Sequence, residues 1–377
     1  MRTRTILLLV SPILLLLALF AWQGHHNAGL YRGSLAAQQA HADAVAAWAE
    51  GNAGAQAHSP GSAFFDAEWT FGTCTMVVMG LGQVSLEHPE LRDRYMPAME
   101  SCLDWLMLPE SRAFGTQKWG SDGLDGLEGP PGHAYLGYLN LALGMHRLLQ
   151  PESRYAATHD ALTAMLAAGL ALPVHRFQTY PQESYPCDQA MAAGSVGLHA
   201  RATGADRGAL LTDWSQRYRE AAVDPETGWL FQRLDSRDGS AGDDPRGSGT
   251  ALSSYALLYA DPALSAELYA ALAARGLGAP LGLGVIREYP PGIHGWGDID
   301  SGPVILGYGV SATGFSLGGA RAHGDERAYT SIARTATAFG LPAPRRGGRW
   351  FLTGGAIGNA IMLAMLTAPQ VEPSPES

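Results

Sequence analysis

The chain has 377 residues, 46% of them hydrophobic and only 16% charged, enough for one large core or two modest ones. Lys and Arg total 25 against 35 Asp and Glu, a formal charge of -10, and the densest basic group is no more than Arg345, Arg346 and Arg349. Without a Lys/Arg stripe to neutralise a phosphate backbone, nucleic-acid binding is excluded.

Met1 to Thr5 carries Arg2 and Arg4 ahead of an apolar run, Ile6 to Trp22. Positive charge before such a run keeps the N-terminus cytoplasmic and sends the rest across. The run is longer than a signal-peptide core and ends in Phe20-Ala21-Trp22-Gln23 without a clean cleavage pattern. Residues 1–24 therefore read as an uncleaved anchor in the inner membrane, with a cleaved signal as the alternative; either way the body is exported. A tether over 25–33, one domain over 34–369 and a disordered tail over 370–377 complete the expected organisation. Cys74 and Cys102 read as core residues, whereas Cys187 stands in a polar loop.

Ser34 to Glu50 is an Ala-rich helix, followed by a Gly/Ser/Pro connection. Phe64-Phe65-Asp66-Ala67-Glu68-Trp69 then leads as a loop into an apolar run, Thr70 to Val84. Leu91 to Leu108 follows with apolar residues at spacings of three and four, the mark of an amphipathic helix. The pair recurs: Gly132 to Leu149 with Ser153 to Leu170, Asp188 to Thr203 with Leu210 to Val223, and Thr250 to Tyr259 with Ala263 to Leu277. Ser301 to His323 with Glu326 to Leu341 comes next, and the last apolar helix, Gly354 to Thr367, can take Ser34 to Glu50 as its partner. Six apolar and six amphipathic helices at a period of roughly 45–60 residues indicate a repeat architecture. Two concentric layers closed into a ring satisfy that pattern, so the expected fold is all-α, an (α/α)6 toroid in one domain. Gly228 to Gln232 and Val285 to Tyr289 are the strand-like exceptions.

In such a ring the loops leading into the inner helices converge on one mouth, where a site would be built. Those loops hold Asp66, Glu68 and Trp69; Trp119, Asp122 and His133, with Tyr135 just inside the helix; Tyr180, Glu183, Tyr185, Cys187 and Asp188; Asp243, Asp244 and Arg246; and Tyr289, His294, Trp296, Asp298 and Asp300. Asp66 lies among aromatics, where a carboxyl pKa rises and general-acid work becomes feasible. The bland alternative is an aspartate braced by its own loop. Asp188 opens a helix and could be only its N-cap, and Ser301 is the better cap beside Asp300. His133 sits at a helix start, where the dipole favours a neutral imidazole able to relay a proton. Trp69, Tyr135, Tyr185, Tyr289 and Trp296 could stack on a sugar, enclose an apolar ligand or merely fill the mouth. No His-Glu-x-x-His, Cys-x-x-Cys, calcium-loop, Gly-x-Ser-x-Gly or dinucleotide-binding pattern occurs, so neither a metal nor a cofactor is expected.

Phe65-Asp66-Ala67-Glu68-Trp69, Gly132-His133-Ala134-Tyr135 and Tyr185-Pro186-Cys187-Asp188, set on six hairpins, resemble the linalool dehydratase/isomerase-like domains. The resemblance spans Ser34 to Pro369. It implies an exported (α/α)6 toroid whose cofactor-free pocket interconverts small terpene alcohols by acid–base chemistry, with Asp66, His133 and Cys187 among the functional residues. One departure is that the family's second cysteine, shortly before the one matching Cys187, is absent from Phe177-Gln178-Thr179-Tyr180. The expected function is thus dehydration or isomerisation of a small apolar alcohol, a lyase or isomerase with Asp66, His133, Cys187 and Asp300 as its catalytic groups. Glu68, Trp69, Tyr135, Tyr185, Asp188, Tyr289, His294, Trp296 and Asp298 would bind the substrate. The alternatives are a carbohydrate-active toroid with two carboxylates across a sugar bond, or a non-catalytic envelope protein. The partners expected are a small-molecule substrate, the membrane through the N-terminal helix, and a second copy of the chain as an open option.

Overall fold

A computed structural model describes residues 24–55, 62–127 and 132–371. The expected N-terminal anchor lies outside them but for its last residue, and no helix among the described residues is long and apolar enough to cross a membrane. Residues 24–31 form helix α1, whose Leu30 is buried. The helices that follow are α2 (Leu35–Asn52), α3 (Ala63–Glu87), α4 (Arg92–Leu106), α5 (Ala113–Trp119), α6 (Leu136–Leu149), α7 (Ala156–Leu170) and α8 (Pro186–Thr203). Then come α9 (Gly208–Ala222), α10 (Gly247–Leu257), α11 (Pro262–Gly276), α12 (Val310–Ala322), α13 (Glu326–Gly340) and α14 (Gly355–Leu366).

Helices α3, α6, α8, α10, α12 and α14 pack each on the next, and α14 returns to α3, closing the inner ring. Around it α4, α7, α9, α11 and α13 each lie against the inner helix that precedes them, while α2 packs on α14 and α3. This is the (α/α)6 toroid. The inner helices are buried almost throughout, as α8 is from Gln189 to His199. An outer helix such as α9 buries only Leu211, Trp214, Ser215, Tyr218 and Ala222, one face of its cylinder.

Small residues set the radius of the ring. A Cβ on Gly194 of α8 would lie 2.4 Å from the carbonyl oxygen of Ala256 in α10, and one on Gly137 of α6 would lie 2.5 Å from the backbone nitrogen of Ala192. At the closed end, Gln83 of α3 donates to the Tyr255 and Tyr259 hydroxyls at 2.6 and 2.9 Å and accepts from Thr367 at 2.9 Å, tying three walls together.

Two expected boundaries move. The Phe65 to Trp69 segment is not a loop: Ser62 takes the N-cap position and Asp66, Glu68 and Trp69 ride the first turns of α3, where no Gly or Pro interrupts. The helix expected from Ser301 starts only at Val310, because Val304–Ile305 and Tyr308–Gly309 pair as a hairpin (β5 and β6). Pro303 and the turn Leu306-Gly307, both with positive φ, impose that hairpin, so Ser301 caps no helix. Three more short antiparallel pairs stand at the same end: β1 (Glu183–Ser184) with β2 (Leu234–Asp235), β3 (Leu277–Gly278) with β4 (Val285–Ile286), and β7 (Pro342–Arg345) with β8 (Gly348–Phe351).

Because backbone atoms face Gly194, no side chain can swing aside for a methyl group there. Gly194→Ala is expected to destabilise the protein by roughly 1–3 kcal/mol. A chemical-denaturation midpoint equal to that of wild type would show slack between α8 and α10.

Candidate active site

Three carboxyl groups from distant parts of the chain meet at the N-terminal ends of the inner helices. Glu68 comes from the second turn of α3, Asp188 from the first turn of α8, and Asp300 from the long segment between β4 and β5. Trp69 joins the first region to the last, its indole N–H donating to Asp300 Oδ1 at 3.1 Å. Tyr180 donates to Glu68 Oε1 at 2.6 Å. Asp188 accepts from the Thr179 hydroxyl at 2.7 Å, from Tyr138 of α6 at 3.2 Å and from the Cys187 thiol at 3.8 Å. It is therefore not the cap of α8; Tyr185 occupies that position, and Pro186 begins the helix.

Crowding these carboxyls in protein surroundings favours their protonated forms. Burial, and then the neighbouring charge of Asp300, lift the pKa of Glu68 to about 8; Asp188 adds to the rise, against the Tyr180 hydrogen bond and Lys118. Burial raises Asp188 to about 6, with the Thr179 and Tyr138 hydrogen bonds opposing and Asp300 reinforcing. Asp300 is open to the solvent of the mouth but walled by protein on its other sides; this raises its pKa, Trp69 opposes and Asp298 adds to it. Near neutral pH Glu68 thus favours its protonated form more strongly than Asp188 does. Separated pKa values in one cluster divide acid and base roles.

A second group supports the Asp300 segment. Glu288 is wholly buried and accepts from Arg246 Nε at 2.8 Å and from Ser248 at 2.6 Å. Arg246 Nη1 reaches Asp298 Oδ2 at 3.2 Å, and the guanidinium lies 4.7 Å from the centre of the Tyr289 ring. Asp298 Oδ1 in turn accepts the backbone N–H groups of Asp300 and Ser301 at 3.2 and 2.8 Å.

Other expected residues stand around these carboxyls. Asp66 is half-buried in the first turn of α3, three positions before Trp69, and Glu68 is the α3 carboxyl on which the charges of Asp300 and Asp188 act. His133 rests on Trp119, ring centres 4.3 Å apart, with positive φ, and burial drives its pKa down to about 4. Tyr135 is buried between His133 and Tyr180, the latter stacked at 6.0 Å, so both form a layer behind the cup. Burial pushes the Cys187 thiol well up, which disfavours a thiolate there. Tyr185 donates to Glu183 at 2.9 Å, near Lys118. His294 is exposed and Trp296 is 93% exposed, on the rim. Among the described residues no group of His, Cys, Asp or Glu is arranged to hold a metal ion.

Of the residues that hold these carboxyls, Tyr180 and Arg246 were placed on the converging loops without a role, and Tyr138, Thr179 and Glu288 were not singled out. Tyr138 had a signal, a polar-tipped residue one turn into an otherwise apolar inner helix.

No protein-family model matches the chain, and no curated protein sequence does. Solved structures do. An inactive α-1,6-mannanase variant of glycoside hydrolase family 76 from a Salegentibacter species, with two aspartates changed to asparagine and in complex with α-1,6-mannotriose, aligns with a TM-score of 0.51 at 15% identity. The alignment covers 78% of this chain and 89% of that one. A second inactive variant of the same enzyme, in complex with α-1,6-mannotetrose, gives a TM-score of 0.51 at 15% identity over 91% of this chain and 98% of that one. A family 76 α-mannanase from Bacteroides thetaiotaomicron follows with a TM-score of 0.47 and 12% identity, over 79% and 84%. At this identity the first two establish the toroid fold.

These neighbours overturn the expected lyase or isomerase acting on a small apolar alcohol. The two that establish the fold are α-1,6-mannanase variants in complex with oligosaccharide, not linalool dehydratases. The residues that meet at the mouth are acidic and hydrogen-bonded, and Asp300 is exposed. The membrane anchor expected over residues 1–24 lies outside the described residues but for Gly24, and no described helix is long and apolar enough to cross a membrane.

Glu68 also makes stability depend on pH. Its folded pKa of about 8 lies above the ordinary 4.5, so the folded state holds a proton that the unfolded state has lost. Stability therefore falls as pH rises from about 4.5 to about 8. Glu68→Gln removes this loss, and its melting temperature should gain on wild type between pH 5 and pH 8.5. Parallel pH curves for the two proteins would contradict the protonated Glu68.

Proposed function

We propose that the protein is a carbohydrate-active enzyme, a glycoside hydrolase working in the mouth of the toroid. The observation that carries this reading is the pairing of a carboxyl that keeps its proton, Glu68, with a solvent-accessible carboxylate, Asp300. Glycosidases need that division of labour. Glu68 would protonate the leaving glycosidic oxygen, and Asp300 would either activate water or attack the anomeric carbon. Trp69 orients Asp300 through its N–H, while Tyr289 and the exposed Trp296 offer aromatic faces for sugar rings. Asp188, held by Thr179 and Tyr138, adds to the burial and the Asp300 charge that keep Glu68 protonated.

The neighbours' ligands make α-1,6-linked mannooligosaccharides the first substrates to test. Their substituted aspartates do not transfer residue by residue. The one adjacent aspartate pair in this chain, Asp243-Asp244, is exposed, and Asp243 is held by Arg233 at 3.0 Å. A closer kinship with the linalool dehydratase/isomerase-like domains rests on the three short motifs alone. Export, from Arg2, Arg4 and the apolar run after them, belongs to the proposal because it would bring the enzyme to glycans outside the cytoplasm.

Wild type should cleave such oligosaccharides, with activity falling as pH rises through about 8, where Glu68 loses its proton. Glu68→Gln and Asp300→Asn should each lose activity by roughly 10²–10⁴-fold while staying folded. The anomer first released, read by proton NMR, separates attack by water from attack by Asp300. Full activity in either variant, or no cleavage across a panel of mannans and other glycans, would overturn the reading.

A further inference from the structure

We propose that Arg246 and Glu288 are a positioning pair that sets the Asp300 carboxylate in register with Glu68. The proposal deepens the glycosidase reading and rests on it for its kinetic consequence.

The segment carrying Asp300 has little to hold it by its own composition. Residues 289–303 include Gly292, Gly295, Gly297 and Gly302, three of them at positive φ, and much of the segment is exposed. Its root is firm: Gly247 N–H donates to the Glu288 carbonyl at 2.7 Å, and Glu288 N–H donates to Gly307 at 3.0 Å. Between root and tip the guanidinium of Arg246 is the bridge. Its Nε is fixed on the buried Glu288 carboxylate, and its Nη1 reaches Asp298. Asp298 then collects the N–H groups of Asp300 and Ser301, which fixes the backbone of the residue that works.

Stability alone is a poor reason for this arrangement. A buried ion pair is often matched or bettered by well-packed apolar residues. A planar fork donating to two carboxylates in different directions defines an orientation, and a lysine offers only a point charge. The Tyr289 ring covers one face of the fork and limits its swing. Neither Arg246 nor Glu288 needs to touch substrate to act this way, since both are more than nine-tenths buried.

The test uses the full chain with Arg246→Lys, which keeps the charge but loses the fork. Asp298→Asn, at the more exposed end of the bridge, serves should the lysine variant fail to fold. Hydrolysis of an α-1,6-mannooligosaccharide should show kcat reduced about 100-fold with KM unchanged, the loss expected for a reacting group displaced by about 1 Å. Amide hydrogen exchange should speed up within residues 289–303 and stay slow in the inner helices. A raised KM with unchanged kcat would make Arg246 a substrate contact and overturn the proposal, as would unchanged kcat. Hydrogen exchange needs no substrate, so it stands even where the glycosidase reading fails: unchanged exchange in 289–303 sinks the positioning role, and faster exchange confined there upholds it.

Discussion

The ring depends on how closely its inner helices approach. Gly194 lies against the Ala256 carbonyl and Gly137 against the Ala192 backbone, so neighbouring walls meet main chain to main chain. Bulky side chains at these seams would widen the toroid and pull its loops apart. With the seams tight, the first turns of α3 and α8 and the segment after β4 are drawn to one mouth, and residues 231 positions apart, Trp69 and Asp300, can share a hydrogen bond. Site geometry is thus a consequence of packing at glycine.

Convergence alone would only give a repulsive cluster. The hydrogen bonds differentiate its members. Asp188 accepts two hydroxyls and a thiol, which moderates the rise that burial imposes, whereas Glu68 has Tyr180 against burial and two carboxylate neighbours. Asp300 keeps access to solvent and is anchored through its backbone by Asp298. Glu68 accordingly favours its protonated form near neutral pH more than Asp188 does. Charge that would be a liability for folding becomes a pair of chemical roles.

Much of the fold was legible because burial writes itself into composition. Apolar helices with Gly and Ala alternating with amphipathic ones can satisfy their surfaces only in two layers, and the Ala-rich helix near the start does close against the last one. The mouth was legible at the level of which segments converge. What failed was local. The helix expected from Ser301 was broken by Pro303 and the Leu306-Gly307 turn, a hairpin signal hidden in an apolar stretch. Asp66 drew attention through its aromatic neighbours, and Glu68, two positions on, is the α3 carboxyl whose pKa its surroundings raise to about 8. Tyr180 and Glu288 could not be ranked from sequence, since their importance comes from partners more than 40 residues away. The terpene-alcohol chemistry failed for another reason: short motifs located the mouth without specifying its polarity.

The central claim is that Glu68 retains its proton at neutral pH because burial, and then the neighbouring charge of Asp300 and Asp188, raises its pKa. The most direct measurement is carbon-13 NMR of the Glu68 carboxyl, assigned by its disappearance in Glu68→Gln and followed through a pH titration. A midpoint near pH 8 that moves down in Asp300→Asn is the predicted result. A midpoint at the ordinary 4.5, or one indifferent to Asp300, would contradict the account.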